Sequence, residues 1–132
     1  VYRFVIRLFD RITRNFDEGI QGLYLLLSDQ SPQIHKTHYW REFMGVKVPI
    51  HTGAEMIAKK FDMAVVNYSV KKLKRGYFEV TFETITEHPN DFKNYEITDK
   101  YLEIIERNIN NQPAYYLWSH KRFKHRDKVP KK

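Results

Sequence analysis

Cysteine is missing from all 132 residues. Because thiolates and disulfides both need cysteine, disulfide scaffolds and thiolate metal sites are excluded, and a small secreted disulfide-rich protein is not expected. The sequence also has no run of 18 apolar residues and nothing that resembles a signal peptide, so no membrane-spanning helix is predicted. Since it does not begin with methionine, we expect it to be a piece of a longer protein.

Acidic residues are scarce at the C-terminal end. The basic tail, residues 119–132, holds seven Lys or Arg and one Asp, which makes six of the net seven positive charges. Such a tail binds the phosphates of nucleic acid or of anionic lipid headgroups, or it is a solvated end that aids solubility. An apolar content of 42% and an aromatic content of 15% predict a folded chain, and we expect a single domain over residues 1–132.

The first predicted element is an amphipathic helix over residues 1–18, closed by Gly19. Arginines occupy the side opposite its apolar face, and a helix packing on a core is the commoner explanation of that pattern than a helix lying on a membrane. The apolar positions at helical spacing are Val1, Val5, Leu8, Phe9, Ile12 and Phe16.

Two further helices are predicted from their end signals. Thr52 and Glu55 fit a capping box, in which the hydroxyl and the carboxylate each bind a backbone N–H group at the start of a helix over about 53–61. Thr98 is expected to cap a third helix, which Pro113 ends.

An apolar run, "LYLLLS" at 23–28, is typical of a strand buried on both faces of a parallel sheet. Asp29 and Gln30 follow directly, at the edge where open α/β sheets bind their ligands. The alternative is that these polar residues only shape a turn into Pro32.

A hairpin is predicted from residues 63–70 and 77–85, joined around "KKLKRG". The second strand alternates and is expected to be half-buried. Its apolar side consists of Phe78, Val80 and Phe82. Residues 33–49 are expected to form a loop or a short irregular segment. The order of elements predicts an α/β fold with a layered sheet flanked by helices.

Four blocks of the sequence resemble the C-terminal half of the bacterial lipid A biosynthesis acyltransferases, the late acyltransferases that add an acyl chain to a hydroxyacyl group of lipid A. The blocks are "GLYLLLSDQSP", "WREFMGVKVPIHTGAEMIAKKFDMAVV", "RGYFEVTFE" and "QPAYYLWSHKRFK". Their order and spacing match over about residues 19–126, and "YLWSHKRFK" is the most specific. The "DQSP" variant is most similar to enzymes of the Bacteroides group.

The resemblance implies a partial glycerolipid-acyltransferase-like fold at the cytoplasmic face of the inner membrane of a Gram-negative bacterium. The acyl donor would be acyl carrier protein, the acceptor a lipid A precursor, and no cofactor would be bound. The wider superfamily carries a His-x4-Asp/Glu motif, in which the histidine acts as general base on the acceptor hydroxyl and the carboxylate orients the histidine. None of the six histidines here has an acid five positions later, so we expect the base upstream of Val1 and no activity from this chain alone.

The resemblance also implies substrate-binding residues. Asp29 and Gln30 would contact the acceptor, and the basic candidates for lipid A phosphates, the acidic surface of acyl carrier protein or anionic lipid are Lys121, Arg122 and Lys124, with Arg75 as a weaker one. His120 is also among the substrate-binding candidates and could serve as a base, but it lacks an acid at the right spacing, and a structural hydrogen-bonding role is favoured for it. His35 and His38 near Asp29 form a weak pattern for a metal site, and no metal is expected.

Two other functions stay open at this point. The basic tail with Tyr116, Trp118 and Phe123 nearby is a pattern that also holds single-stranded nucleic acid, although no RNA-recognition or helix-turn-helix signature is present. The leading interpretation involves no nucleic acid. A catalytically inactive relative that only binds lipid is the third possibility.

Overall fold

The computed structural model describes the backbone of residues 2–130 and the side chains of residues 7–130. Val1, the side chain of Val5, and the last two lysines of the basic tail therefore lie outside the described residues. Within the described range the elements are α1 Tyr2–Asp17, β1 Trp40–Phe43, β2 Val46–Pro49, α2 Gly53–Lys60, β3 Val65–Lys74, β4 Tyr77–Thr86 and α3 Glu96–Asn111. The predicted α/β composition is confirmed, but both sheets of the described chain are antiparallel hairpins, β1-β2 and β3-β4, rather than one layered parallel sheet.

Helix α1 is close to its predicted length and ends two residues before the predicted glycine. Gly19 has a φ of +66°, a left-handed conformation that glycine adopts without steric cost. Ile12 is buried, and the rings of Phe9 and Phe16 lie 5.8 and 5.3 Å from the ring of Phe61. The apolar stripe of α1 therefore packs on the end of α2.

The segment predicted to be a loop contains a β-hairpin, so that prediction was wrong. Strands β1 and β2 are joined by Met44 and Gly45, whose φ values of 51° and 75° are those of a two-residue hairpin turn. Strands of four residues are too short to give a clear alternating pattern in the sequence. The hairpin supplies much of the hydrophobic core, whose buried members are Phe43, Val48, Ile50, Leu102 and Ile109.

Helix α2 lies where it was predicted, but its capping box does not form. Thr52 makes no capping hydrogen bond. Glu55 instead accepts hydrogen bonds from the Tyr95 N–H at 2.7 Å, the Thr98 N–H at 2.9 Å and the Thr98 hydroxyl at 2.6 Å. Helix α3 begins at Glu96, so Thr98 lies in its first turn instead of capping it. The carboxylate of Glu55 thus satisfies N–H groups at the start of another helix.

Strands β3 and β4 form the predicted hairpin, but the expected burial of its apolar side was wrong. Phe78 and Phe82 are 60% and 71% exposed. The opposite, polar side faces α3: Asn108 donates to the Ser69 hydroxyl at 2.7 Å, and Arg107 pairs with Glu83. The helix therefore covers the polar side and leaves the apolar side uncovered by the described chain.

The segment at 23–28 is not a strand of either sheet, which contradicts the prediction of a doubly buried strand. Leu23, Leu25 and Leu27 are 100%, 65% and 76% exposed, whereas Tyr24, Leu26 and Ser28 are half-buried or buried. This alternation is that of an extended chain with one side facing inward.

Candidate functional site

A cavity of about 360 Å³ lies between segment 22–29 and the start of β3, with α2 and α3 forming its remaining walls. Its size is typical of ligand pockets, and most of its lining is apolar. A second space of about 600 Å³ is lined by the polar side of the β3-β4 hairpin and by α3, beside the hydrogen bonds that join them. Asp29 lines both spaces, so this residue lies where the apolar cavity meets a space of mixed polar and apolar lining.

The C-terminal segment holds the Asp29–Ser31 backbone in place. The Tyr116 hydroxyl donates to the Asp29 carbonyl at 2.8 Å, and the Ser31 hydroxyl donates to the Arg122 carbonyl at 2.6 Å. Gln30 Nε2 donates to Asp29 Oδ2 at 3.0 Å, and Gln30 Oε1 is buried without a hydrogen-bond partner in the described chain. Two segments about 90 residues apart, which the resemblance singled out separately, are thereby joined into one site.

Arg122 is the largest buried side chain in this region, with 1% exposure. Its Nη1 donates to the Pro49 carbonyl at 3.1 Å, and its Cζ lies 5.0 Å from the centre of the Phe43 ring. Its Nε and Nη2 are buried without a hydrogen-bond partner among residues 7–130. Arg122 is therefore packed inside the described chain and is not available to a phosphate at its surface, whereas Lys121 and Lys124 are exposed.

Two tyrosines beside Asp29 are held in their neutral form. Burial raises the pKa of Tyr116 to about 12, and the charge of Asp29 adds to that rise. Burial also raises the pKa of Tyr101, again with a contribution from Asp29. Both hydroxyls therefore keep their protons at neutral pH, and the Tyr116 hydroxyl donates its proton to the Asp29 carbonyl.

His51 is a site residue that the sequence pattern did not indicate. It lines the apolar cavity together with Asp29. Burial lowers the pKa of His51 and the charge of Arg122 lowers it further, while Asp29 acts in the opposite direction. The His-x4-Asp/Glu spacing does not indicate His51, because the groups that surround His51 come from distant parts of the chain.

The remaining predicted site residues lie away from this cluster. His120 is exposed in a short 3-10 turn, Trp118–His120, and its imidazole makes no hydrogen bond to a described residue, so the favoured structural role is not seen. Arg75 is exposed in the turn between β3 and β4. Among residues 7–130, no group of three or more His, Asp or Glu side chains is arranged to hold a metal ion.

The family comparison matches most of the chain. The sequence profile of the bacterial lipid A biosynthesis acyltransferases fits residues 20–125, which include both hairpins, α2, α3 and the Asp29 and Arg122 segments. This chain belongs to that family. No curated protein and no solved structure gives a significant match.

Membership in the lipid A acyltransferase family implies acyltransferase activity in general, with a lipid A precursor as the substrate. The family is associated with membranes. Over the part of the chain that the structure describes, the helices are too short or too polar to span a bilayer.

We expect His51→Gln to flatten the dependence of stability on pH between about pH 7.5 and about pH 5.5. Because the folded pKa of His51 lies below its ordinary value of 6.5, the unfolded chain binds a proton before the folded chain does as the pH falls. Stability is therefore lost as the pH drops below the unfolded pKa, with a slope of at most about 1.4 kcal/mol per pH unit for one such group. Urea unfolding followed by tryptophan fluorescence at several pH values measures this slope.

The matched control is His38→Gln, a substitution at an exposed histidine. His125 contributes in the same direction as His51, because burial and two nearby lysines lower its pKa, so the slope should shrink without vanishing. Equal slopes for the unsubstituted chain and His51→Gln would contradict the prediction.

Proposed function

We propose that this chain is the C-terminal portion of an acyltransferase domain that moves a fatty acyl chain from acyl carrier protein to a hydroxyacyl group of a lipid A precursor. The observation that carries the proposal is the position of Asp29. It lies at the junction of an apolar cavity and one with a mixed polar and apolar lining, on a backbone segment fixed by Tyr116 and Arg122. The reaction would take place at the cytoplasmic face of the inner membrane.

The two cavities suit the two parts of such a substrate. The space lined by Ala54, Ile57 and Ala58 is apolar and accepts a hydrocarbon chain. The space on the other side of Asp29 is lined by Ser69, Asn108 and other hydrogen-bonding side chains that suit the hydroxyl groups of a sugar. In this arrangement Asp29 and Gln30 position the acceptor, and the neutral hydroxyl of Tyr116 holds their backbone.

The exposed leucines of segment 23–28 support the idea of a larger domain. An extended segment with Leu23, Leu25 and Leu27 in water is unfavourable, since each buried leucine side chain is worth about 1.5–3 kcal/mol. A preceding part of the domain that packs on these leucines would remove that cost. The same part would carry the His-x4-Asp/Glu base, which takes the proton of the acceptor hydroxyl as the thioester carbon is attacked. The oxyanion formed there needs hydrogen-bond donors and no cofactor.

The nucleic-acid alternative loses two of the residues on which it depended, Arg122 and Phe123. Arg122 is buried, and the ring of Phe123 lies 6.3 Å from the ring of Phe43 in the core and 6.3 Å from that of Trp118. An arginine and an aromatic ring that are used in packing are not available to hold phosphates and stack on bases.

We expect Asp29→Asn, in the natural protein that contains this chain, to lower the rate of acyl transfer by about 100-fold or more, because a neutral amide cannot accept hydrogen bonds from the acceptor as a carboxylate does. The rate is measured with acyl-loaded carrier protein and a lipid A precursor, with the product detected by mass spectrometry.

Asp62→Asn is the control, since Asp62 is exposed, has a φ of 47° that asparagine tolerates, and keeps its acceptor for Asn90. An unchanged rate in Asp29→Asn would remove Asp29 from the site. The 132-residue chain by itself should give no product, and robust transfer by it would overturn the assignment of the base to another part of the protein.

A further inference from the structure

The end of the β3-β4 hairpin exposes a group of large apolar side chains. Leu73, Tyr77 and Phe78 lie on either side of the Arg75–Gly76 turn, and each is between 58% and 60% exposed. The register pairs Phe78 with Lys72 and Tyr77 with Lys74, so the two rings lie on opposite faces of the hairpin end. Single exposed apolar residues are normal on a protein, but three at one hairpin end mark a tip that meets another apolar phase.

A second exposed apolar segment adjoins this hairpin end. Gln112 fixes Lys72 by two hydrogen bonds to its backbone, of 3.1 and 3.0 Å. The Lys72 Nζ lies 5.2 Å from the centre of the Tyr115 ring, which places the exposed Tyr115 beside the hairpin. Leu117 and Trp118, two and three residues further along the chain, are also exposed. Residues 72–78 and 115–118 together are named the hairpin-end surface.

Positive charges are interleaved with these apolar side chains. Residues 71–79 contain four Lys or Arg and one acid, Glu79, which is paired across the strands with Lys71 on the polar side of the hairpin. Residues 113–118 contain no acid. Lys74 Nζ lies 4.2 Å from the centre of the Tyr77 ring, so the cation and the aromatic ring share one surface.

We propose that the hairpin-end surface docks on an anionic lipid bilayer. Its apolar side chains would enter the boundary between headgroups and acyl chains, and its lysines and arginine would pair with lipid phosphates. The aliphatic members, Leu73 and Leu117, suit hydrocarbon and not a nucleic-acid base. A second copy of the chain is disfavoured, because a two-fold contact would bring like charges together.

This docking rests on the proposed function, since a lipid acceptor would have to be reached in a membrane. It would bring the mouth of the site to the bilayer without using Asp29 or Gln30 as contacts. Vesicle binding is measured without acyl transfer, so the docking and the transfer chemistry can fail separately.

The test is co-sedimentation with vesicles, and it uses the natural protein that contains this chain. Vesicles of phosphatidylcholine with about one quarter phosphatidylglycerol should bind at least about tenfold more tightly than pure phosphatidylcholine vesicles. The double substitutions Leu73→Ser with Phe78→Ser, and Lys74→Gln with Arg75→Gln, should each weaken binding to the anionic vesicles about tenfold or more.

Matched controls change equally exposed residues elsewhere. Ile20→Ser with Met56→Ser removes two apolar side chains that are 51% and 63% exposed, and Lys47→Gln with Lys93→Gln removes two exposed charges. Both control pairs should bind anionic vesicles as the unsubstituted chain does, and circular dichroism checks that every variant is folded.

Three outcomes would overturn the docking proposal. The first is vesicle binding that persists in both hairpin variants, which would assign binding to the basic tail. The second is equal loss in the control pairs. The third is an effect of the hairpin variants on the sedimentation coefficient or on RNA binding with no effect on vesicle binding, which would assign the surface to a second copy or to nucleic acid.

Discussion

Replacing Glu55 by alanine is expected to destabilise the protein by about 2–4 kcal/mol, because the change leaves two backbone N–H groups at the start of α3 and the buried Thr98 hydroxyl without their acceptor. Glu55 is 4% exposed and accepts hydrogen bonds from Tyr95 and Thr98. It also forms an ion pair with Lys59, at 2.9 Å. Burial raises the pKa of Glu55, but these partners lower it more, so the carboxylate is charged at neutral pH. Urea unfolding at pH 7 measures the loss.

The comparison with Glu103→Ala separates this effect from the loss of an ordinary surface charge. Glu103 pairs with Arg41 at 3.1 Å but is 64% exposed, so its removal should cost less than about 1 kcal/mol. A loss of similar size in both variants would mean that Glu55 does not join the helices. Because α2 and α3 both line the apolar cavity, Glu55→Ala should also loosen the packing of these two helices around the cavity.

Replacing Arg122 by alanine and by methionine is expected to change the free energy of unfolding by different amounts. Arg122→Ala should cost about 2–4 kcal/mol, since it opens a cavity beside Phe43 and frees the Pro49 carbonyl. Arg122→Met should stay within about 1 kcal/mol of the unsubstituted protein, because methionine fills much of the same volume. It also frees the Pro49 carbonyl, but this loss is offset by the removal of a buried charge with two nitrogens that have no acceptor in the described chain. Thermal and urea unfolding of the three proteins measure the difference.

Equal destabilisation by alanine and methionine would contradict this expectation and would mean that the charge itself stabilises the fold. If methionine is tolerated, the stability of the fold does not explain the arginine. Loss of acyl transfer in Arg122→Met, at unchanged stability, would then indicate that the guanidinium sets the electrostatics around Asp29. The charges of these two groups already influence the pKa values of His51 and Tyr116.

Local patterns predicted several elements correctly. The helical spacing up to Gly19, the apolar face of α3 ending before Pro113, and the two strands around the Arg75 turn all depend on interactions between residues close in sequence. The four blocks of family resemblance gave the acyltransferase family, which the match over residues 20–125 confirms.

The same local patterns failed where the partner of a residue is distant. Glu55 fits a capping box with Thr52, but the N–H groups of α3 compete for its carboxylate and win. Phe78 and Phe82 lie on the apolar side of an alternating strand, yet α3 packs on the other side. Alternation predicts that a strand has two different faces, and it does not say which face meets the rest of the chain.

By itself the sequence determined the family, the helices and the long hairpin, because short-range periodicity and motif spacing depend on residues close together along the chain. Only the tertiary structure decided that Arg122 is buried, that His51 joins Asp29, and that Leu23, Leu25 and Leu27 remain uncovered in the described chain. Burial and pKa values depend on groups brought together from distant positions, and hydrogen bonds across about 90 residues leave no local pattern.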